Sequence, residues 1–409
     1  MKTLLSASAV LLATSTVCAA ELYLLGLVPF SYAQDVSADG TVVAGSDPAG
    51  CWYWTRDSWV VPIEGSLAIG NGVGGRPGVT DDGNTFMVPT LVGKPQKAEV
   101  AFWDRSLSEF DPAVGSLGFN CDISRSSGWS MNSDGSFVGG LVWGDACTAS
   151  GFVWSRATDT MTLMPSVYFY KPTRVNDVSE DGSFAVGWND DYTGYRQGCV
   201  WRRNADGTYA ATLLNTGTAT AKLREAMTVS GNGVWAYGQG SAITGGAPYR
   251  WSVATGYQPI APAPGVDGFV LWANFDGSKL LTFFGGAGTF LWFQDRGYVS
   301  LRDWAAEKGF QLTEDWAFRG FSMTEDGLTI VGDALRLADS APSPFVLDLR
   351  KRSGACPADL DLDGIVGATD LASVLGAWGT LGSNADLDGD GLVGATDLAA
   401  LLGAWGDCP

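Results

Sequence analysis

Histidine is missing altogether from the 409 residues. Without an imidazole there is no Ser-His-Asp or Cys-His nucleophilic machinery, and none of the usual zinc sites that carry His. Any chemistry must run on carboxylates, Tyr, Lys or a bound metal. Positive charge is scarce as well. Lys and Arg number 25 against 44 Asp and Glu, a formal net charge of −19, which disfavours nucleic acid and anionic lipid as partners. No stretch beyond the N-terminal segment reaches 18 uninterrupted apolar residues, so no membrane-spanning helix is expected.

The first 20 residues read as a secretory signal. Lys2, an apolar run from Leu4 to Leu12 and the small residues Cys18-Ala19-Ala20 point to cleavage before Glu21. A lipoprotein signal at Cys18 is the weaker alternative, because Ser15-Thr16-Val17 lacks the Leu and the small residue usual before a lipidated Cys. The mature chain is therefore expected to be secreted, outside the cell or at its surface, with room for two or three domains.

Between Glu21 and Arg350 one pattern recurs seven times: a polar residue, then Asp-Gly or Asn-Gly, then an apolar strand usually ending in Gly. The pairs are Asp39-Gly40, Asp82-Gly83, Asp134-Gly135, Asp181-Gly182, Asn232-Gly233, Asp276-Gly277 and Asp326-Gly327, spaced 43 to 52 residues apart. Both residues of such a pair supply the positive φ angles of a tight hairpin turn, so each marks two antiparallel strands meeting. An apolar segment with a Trp follows each of the first six pairs, at Trp54, Trp103, Trp154, Trp201, Trp251 and Trp292, and a further short strand often comes next. Three or four strands at this period make a propeller blade, and seven units predict a mainly β, seven-bladed β-propeller over 21–350. The last unit lacks an outer strand, while Leu22-Tyr-Leu-Leu25 has no partner of its own. The N-terminal strand is expected to complete the final blade and remove the free edges. Phrases such as Gln34-Asp-Val-Ser-Ala-Asp-Gly-Thr-Val-Val-Ala-Gly45 resemble the HAF-type extracellular repeats of bacterial secreted proteins, as does 301–332 with its short helix around Trp304 to Lys308. That resemblance implies a propeller-like fold and no particular reaction.

The six blade Trp residues are expected to pack between blades. Trp143, Trp188, Trp235 and Trp272 are placed in or just after the strand following a turn. Among them Trp188, with Tyr192, sits in an aromatic-acidic loop, Trp188-Asn189-Asp190-Asp191-Tyr192, that offers rings for stacking on a sugar. With 35 acidic residues before position 356 and no motif to single out two, glycosidase carboxylates are not assignable.

The last 54 residues hold one unit of 27 residues written twice. Asp359-Leu-Asp361-Leu-Asp363-Gly364-Ile365-Val-Gly367-Ala-Thr-Asp370 returns as Asp386-Leu-Asp388-Gly-Asp390-Gly391-Leu392-Val-Gly394-Ala-Thr-Asp397, with 17 of 21 aligned positions identical. Carboxylates at loop positions 1, 3, 5 and 12 with Gly at 6 are the spacing of a twelve-residue calcium loop. Ile365 and Leu392 at position 7 would each give a backbone carbonyl, and Gly367 and Gly394 at position 9 suit a water ligand. Two calcium ions are thus implied, on Asp359, Asp361, Asp363, Asp370 and on Asp386, Asp388, Asp390, Asp397. After each loop an apolar stripe runs at helical spacing: Leu371, Val374, Leu375, Trp378, then Leu398, Leu401, Leu402, Trp405. No such segment precedes either loop, so each unit is loop then helix, an F-hand. The segment carries nine Asp and no Lys or Arg, so it is expected to fold with calcium and to loosen without it.

Two such half-hands in tandem resemble the type I dockerin family, over about an eighth of the chain. The resemblance implies a small all-α domain at 356–409 and a cohesin-like or cell-envelope protein partner. The partner would meet loop positions 10 and 11, here Ala368, Thr369, Ala395 and Thr396, and the helix that follows. The helices lack the family's Lys and Arg. Cys356 and Cys408 bracket this unit and are expected to pair, tying together ends that a symmetric half-hand pair brings close. Cys121 with Cys147 is a second candidate, and nothing joins Cys51 to Cys199. The basic junction Arg350-Lys-Arg-Ser-Gly-Ala355 is expected to be an exposed, protease-sensitive linker, with 351–355 between the two domains.

The leading reading is a secreted, calcium-binding, non-enzymatic interaction protein with an attachment tail. One alternative is a carbohydrate-active enzyme, a glycoside hydrolase or lyase acting on a polysaccharide through the propeller. Another is that the calcium unit merely caps the C-terminus.

Overall fold

In the computed structural model, the structure describes residues 17–18, 20–26, 28–69, 74–92, 97–111, 126–143, 148–218, 220–350, 352–353, 356–361, 364–380, 385, 387–388 and 392–408. The chain divides into one compact unit at Leu22–Asp348 and a second that holds Leu349–Pro409 together with the first 21 residues. Asp363, Asp386, Asp390, Cys121 and Cys147 lie outside the described residues, as does most of the expected signal segment.

The larger unit is a β-propeller of seven four-stranded sheets. Blades 1 to 6 are consecutive meanders over 32–62, 78–111, 126–163, 173–213, 226–259 and 266–300. Blade 7 takes three strands from 316–348 and its outermost strand from Glu21–Leu24, so the ring closes as the unpaired N-terminal strand predicts. Its register is continued by the Leu25 amide, which donates to Pro344 O at 2.9 Å. Helix α1 (Leu301–Glu307) connects blades 6 and 7, and the Ser300 side chain caps it by accepting from the Asp303 amide.

Each Asp-Gly or Asn-Gly pair joins the innermost strand of its blade to the second strand. Only the Gly takes a positive φ, 69° at Gly40 and 64° at Gly182. Both residues were expected to do so. The Asp or Asn instead uses its side chain. In blade 1, Asp39 Oδ1 accepts from the Thr41 amide at 2.9 Å and the Ser37 hydroxyl at 2.7 Å, and Ser37 Oγ accepts from the Val42 amide at 3.1 Å. The same three bonds recur with Ser179, Asp181 and Phe184 and with Asn274, Asp276 and Lys279. The polar residue two before the turn is therefore a buried staple. A local side-chain bond replaces the φ > 0 that a bulkier residue would pay for.

The Gly that ends the second strand has a packing cause. A Cβ on Gly187 would strike the Arg174 carbonyl, and one on Gly45 would strike the Trp52 ring. Trp54, Trp103, Trp154, Trp201 and Trp292 are buried on the third strands and Trp251 is half-buried there, as expected of packing between blades. Trp272 corrects its placement: it lies in the innermost strand of blade 6, Val266–Ala273, before its turn.

The smaller unit holds helices α2 (Ala368–Gly376) and α3 (Ala395–Gly403). A two-stranded ladder also pairs Ile365–Val366 with Gly406–Asp407, so this unit is not all-α. Cys356 and Cys408 are bonded, with Cα atoms 5.7 Å apart. Val366, Val374, Val393 and Leu401 form the core with Cys356, Ala358 and Ala385. Each predicted helix stripe is split. Val374 and Leu401 point inward, while Leu375, Trp378, Leu402 and Trp405 stay exposed, Trp378 by 47% and Trp405 by 50%. The junction starts differently from expectation, because Arg350 is only 2% exposed and Arg352–Ser353 form a short strand.

Candidate metal centre and the propeller channel

In the first loop, Asp359, Asp361 and Asp370 bring one carboxylate oxygen each within 4.8 Å of one another, with Asp359 and Asp370 buried. Asp370 is the organiser. Its Oδ1 accepts from the Leu360 amide at 2.6 Å and the Asp361 amide at 3.1 Å, and its Oδ2 from the Gly367 amide at 2.7 Å. One residue thus folds the loop back on its own start and caps α2 at its N3 position, where a carboxylate also suits the helix dipole. Asp359 Oδ2 accepts from the Gly364 amide at 3.0 Å, the sharp turn for which Gly takes φ 89°.

In the second loop Asp397 repeats the hydrogen bonds of Asp370. Asp397 accepts from the Leu387, Asp388 and Gly394 amides at 2.6, 3.1 and 2.6 Å, and the Gly394 amide foremost holds its carboxyl below the ordinary carboxylate range. Converging carboxylates, in a segment whose sequence from 356 on holds no Lys or Arg, fit a hard divalent cation, which takes oxygen ligands. Ile365, Leu392, Ala368, Thr369, Ala395 and Thr396 are all exposed beside the loops.

One cavity of the propeller is its central channel, with roughly 220 Å³ in which a water molecule fits. Sequence reading missed what shapes it. The innermost strands of six of the seven blades slip register by one residue, which leaves Gln34, Trp129, Asn176, Met227, Leu271 and Phe321 opposite no partner. All six line the channel, because a bulge re-aims a side chain away from the sheet.

Asp35 and Asp177 follow two of these bulges and clasp neighbouring blades. Asp35 accepts from the Val36 and Val79 amides, both at 3.0 Å, and from the Ser322 hydroxyl at 3.0 Å. Asp177 accepts from the Val178 and Val229 amides and the Thr228 hydroxyl at 2.9, 2.9 and 2.6 Å. Burial nonetheless pushes both carboxyls up to about 6.

At the turn end, amide bonds link successive blades in a belt, such as Ala38 N to Asp81 O at 3.1 Å and Asp81 N to Ser133 O at 2.8 Å. Asp81, Glu180 and Glu325 crowd that mouth, and desolvation, then Glu180, raises Asp81 to about 6.

These shifts carry a sign. A carboxyl whose folded pKa is raised from about 4 to about 6 holds its proton more tightly when folded. Its contribution is complete below pH 4 and lost as pH rises through 6. The propeller is therefore expected to lose stability across that window, on the order of 2 kcal/mol for each of Asp35 and Asp177. Thermal unfolding followed by the buried tryptophans at pH 4.5 and 7.5 checks this, and Asp35→Asn should shrink the difference.

Trp188, offered above as a stacking surface, is 4% exposed, with the Arg174 and Arg196 guanidinium groups over its ring. It has no open face for a ligand. Tyr192 is exposed. Cys51 and Cys199 are buried in different blades and unbonded. Among the described residues no helix is long and apolar enough to cross a membrane.

No protein-family model matches the chain, and no curated protein does. Solved structures do. The hydrazine synthase of Kuenenia stuttgartiensis is similar at 13% identity and a TM-score of 0.47, over 78% of this chain and 96% of that one. TolB from Acinetobacter baumannii is similar at 12% identity and a TM-score of 0.40, over 80% of this chain and 66% of that one. A structure of U3-55K is similar at 13% identity and a TM-score of 0.48, over 80% of this chain and 98% of that one.

Proposed function

We propose that this is a secreted, calcium-binding interaction protein. Its propeller serves as a rigid, non-enzymatic binding scaffold, and its dockerin-like C-terminal unit attaches the protein to a partner in a calcium-dependent way. The observation that carries this reading is the convergence of Asp359, Asp361 and Asp370 in a loop whose sequence is repeated 27 residues later. Calcium is favoured because the ligands are all oxygens, spaced for a flexible loop.

The duplicated outward pairs Leu375/Trp378 and Leu402/Trp405 supply the contact surface. Exposed large apolar side chains set beside the metal loops are what a protein partner buries, and Trp is prominent among residues that dominate such interfaces. The scaffold reading is supported by the channel carboxylates, since Asp35 commits both oxygens, and Asp177 its Oδ2, to holding neighbouring blades together.

The test is capture of the full-length protein by the producing cell's envelope proteins, with calcium and with chelator. Capture is expected only with calcium, and the double variant Leu375→Asp/Leu402→Asp should reduce it at least tenfold. Capture that persists in chelator, or a complete lack of calcium-dependent partner, leaves the tail as a stabilising cap.

A further inference from the structure

From the channel wall at Arg76 and blade 3 out across blade 4 the molecule departs from its acidic character. Cations and aromatic rings alternate outward from the channel. Arg76 lies over Trp129 at 5.7 Å, Arg174 over Trp129 at 3.9 Å and over Trp188 at 5.3 Å, and Arg196 over Trp188 at 4.7 Å. Arg76 and Trp129 belong to the channel wall. Asp190, which feels both Arg196 and Lys171, leads to the outer loops. There Lys171 lies over Tyr192 at 5.5 Å and Lys222 over Tyr168 at 5.4 Å. Five cations thus meet four carboxylates, Asp177, Asp190, Asp191 and Glu225, of which Glu225 pairs with Arg174 at 3.2 Å and Asp191 with Lys222 at 2.6 Å. Arg76, Lys171 and Arg196 make no ion pair among the described residues.

The outer end is an aromatic display held in place from below. Phe169, Tyr170 and Tyr192 are three of the most exposed large side chains, Tyr170 at 77%. Tyr170 takes φ 56°, a conformation a bulky residue seldom adopts. Its ring lies 4.0 Å from that of Phe169, and Tyr168 meets Tyr192 edge-on at 5.5 Å. The fully buried Asn189 pins the loop, accepting from the Val167 amide at 2.8 Å and donating to Ser166 Oγ at 3.0 Å and Pro172 O at 3.2 Å. Tyr168 donates to Gln197 Oε1 at 2.9 Å. A buried amide that fixes both flanks of a loop carrying exposed rings, one of them in a strained backbone, is preorganisation for a ligand rather than for the core.

We propose that this track is a binding site for an anionic polysaccharide, with uronate sugar rings lying on Tyr170 and Tyr192 and their carboxylates met by Lys171, Arg196 and, at the channel end, Arg76. Rings with an apolar face suit the aromatic display, and negative charge suits cations that form no ion pair among the described residues. Both features recur along an extended line, so the ligand is a polymer. The proposal rests on reading the propeller as a binding scaffold and names its ligand; it does not involve the tail.

The full-length protein is titrated with polygalacturonate in excess chelator. Saturable binding is expected, weakening as salt is raised. Neutral galactan, inorganic polyphosphate and poly(dT) should each bind at least tenfold more weakly. Tyr170→Ala and Tyr192→Ala, both surface changes, should each lose about tenfold in affinity. Lys171→Gln should lose severalfold and flatten the salt dependence. Equal binding of neutral galactan, of polyphosphate or of poly(dT) overturns the proposal, as does wild-type affinity in both tyrosine variants. Absence of polygalacturonate binding overturns it too, and does so without touching calcium-dependent capture of the tail.

Discussion

Replacing Asp370 with Ala is expected to remove one of two bound calcium ions and to release the start of α2. The residue has two tasks that fail together. It supplies a carboxylate to the cluster with Asp359 and Asp361, and it holds the Leu360, Asp361 and Gly367 amides. Alanine leaves three donors without their acceptor and the remaining carboxylates facing one another. Equilibrium dialysis should give one ion per chain in place of two, and Asp397→Ala should do the same at the second loop.

Chelator is expected to produce the larger change. The core of this unit is a handful of Val, Leu and Ala side chains, too small to hold repelling carboxylates together without metal. Amide exchange at Val374 and Leu401 should accelerate at least a hundredfold. The Cys356–Cys408 bond spans 52 residues and by chain entropy restrains the unfolded unit by about 4 kcal/mol. Chelation alone should therefore loosen the unit, and chelation with reduction should unfold it. Exchange rates indifferent to calcium would sink the metal reading.

The second large effect is expected at the ring closure. Tyr23 and Leu25 pack with Val331 and Val346 of blade 7 and with Trp52 and Trp54 of blade 1. Tyr23 lies 5.0 Å from Trp54 and 6.2 Å from Trp59, under the Arg56 guanidinium at 5.4 Å. One strand thus fastens the last blade to the first. Deleting 22–25 exposes the Pro342–Asp348 edge and opens the ring at its only non-consecutive sheet, so a molecule that no longer folds cooperatively, or aggregates through that edge, is expected. Tyr23→Ala is the graded version. It should cost about 3 kcal/mol and lower the melting temperature by several degrees, while the exposed Tyr170→Ala should cost under about 0.5 kcal/mol. A Tyr23→Ala protein that melts with the wild type would mean the strand is decoration.

Much of this architecture could be read from short-range chemistry. The staple at Ser37, Asp39 and Gly40 needs only neighbours in sequence, so its seven recurrences announce seven hairpins and, through their spacing, seven blades. The same holds for the tail, where loop and helix are each set within a dozen residues. The orphan strand at Leu22 was legible because the final unit lacked one.

Other features depend on contacts between distant segments, and no local pattern encodes them. Gln34 and Trp129 enter the channel because a one-residue slip against the second strand turns them there, and a slip leaves alternation in the sequence almost unchanged. Whether Trp188 is a platform or a filler was decided by Arg174 and Arg196 closing over it. Val374 and Leu375 sit side by side in one apolar stripe, yet one is core and the other surface, since a small two-helix unit has only one inner face. The sequence by itself determined the turns, the number of blades, the ring closure and the loop-then-helix order of the tail, because hydrogen bonds across a few residues are local. The tertiary structure alone decided which side chains face the channel, the blade 4 track and the open helix faces, because register and packing between blades are not.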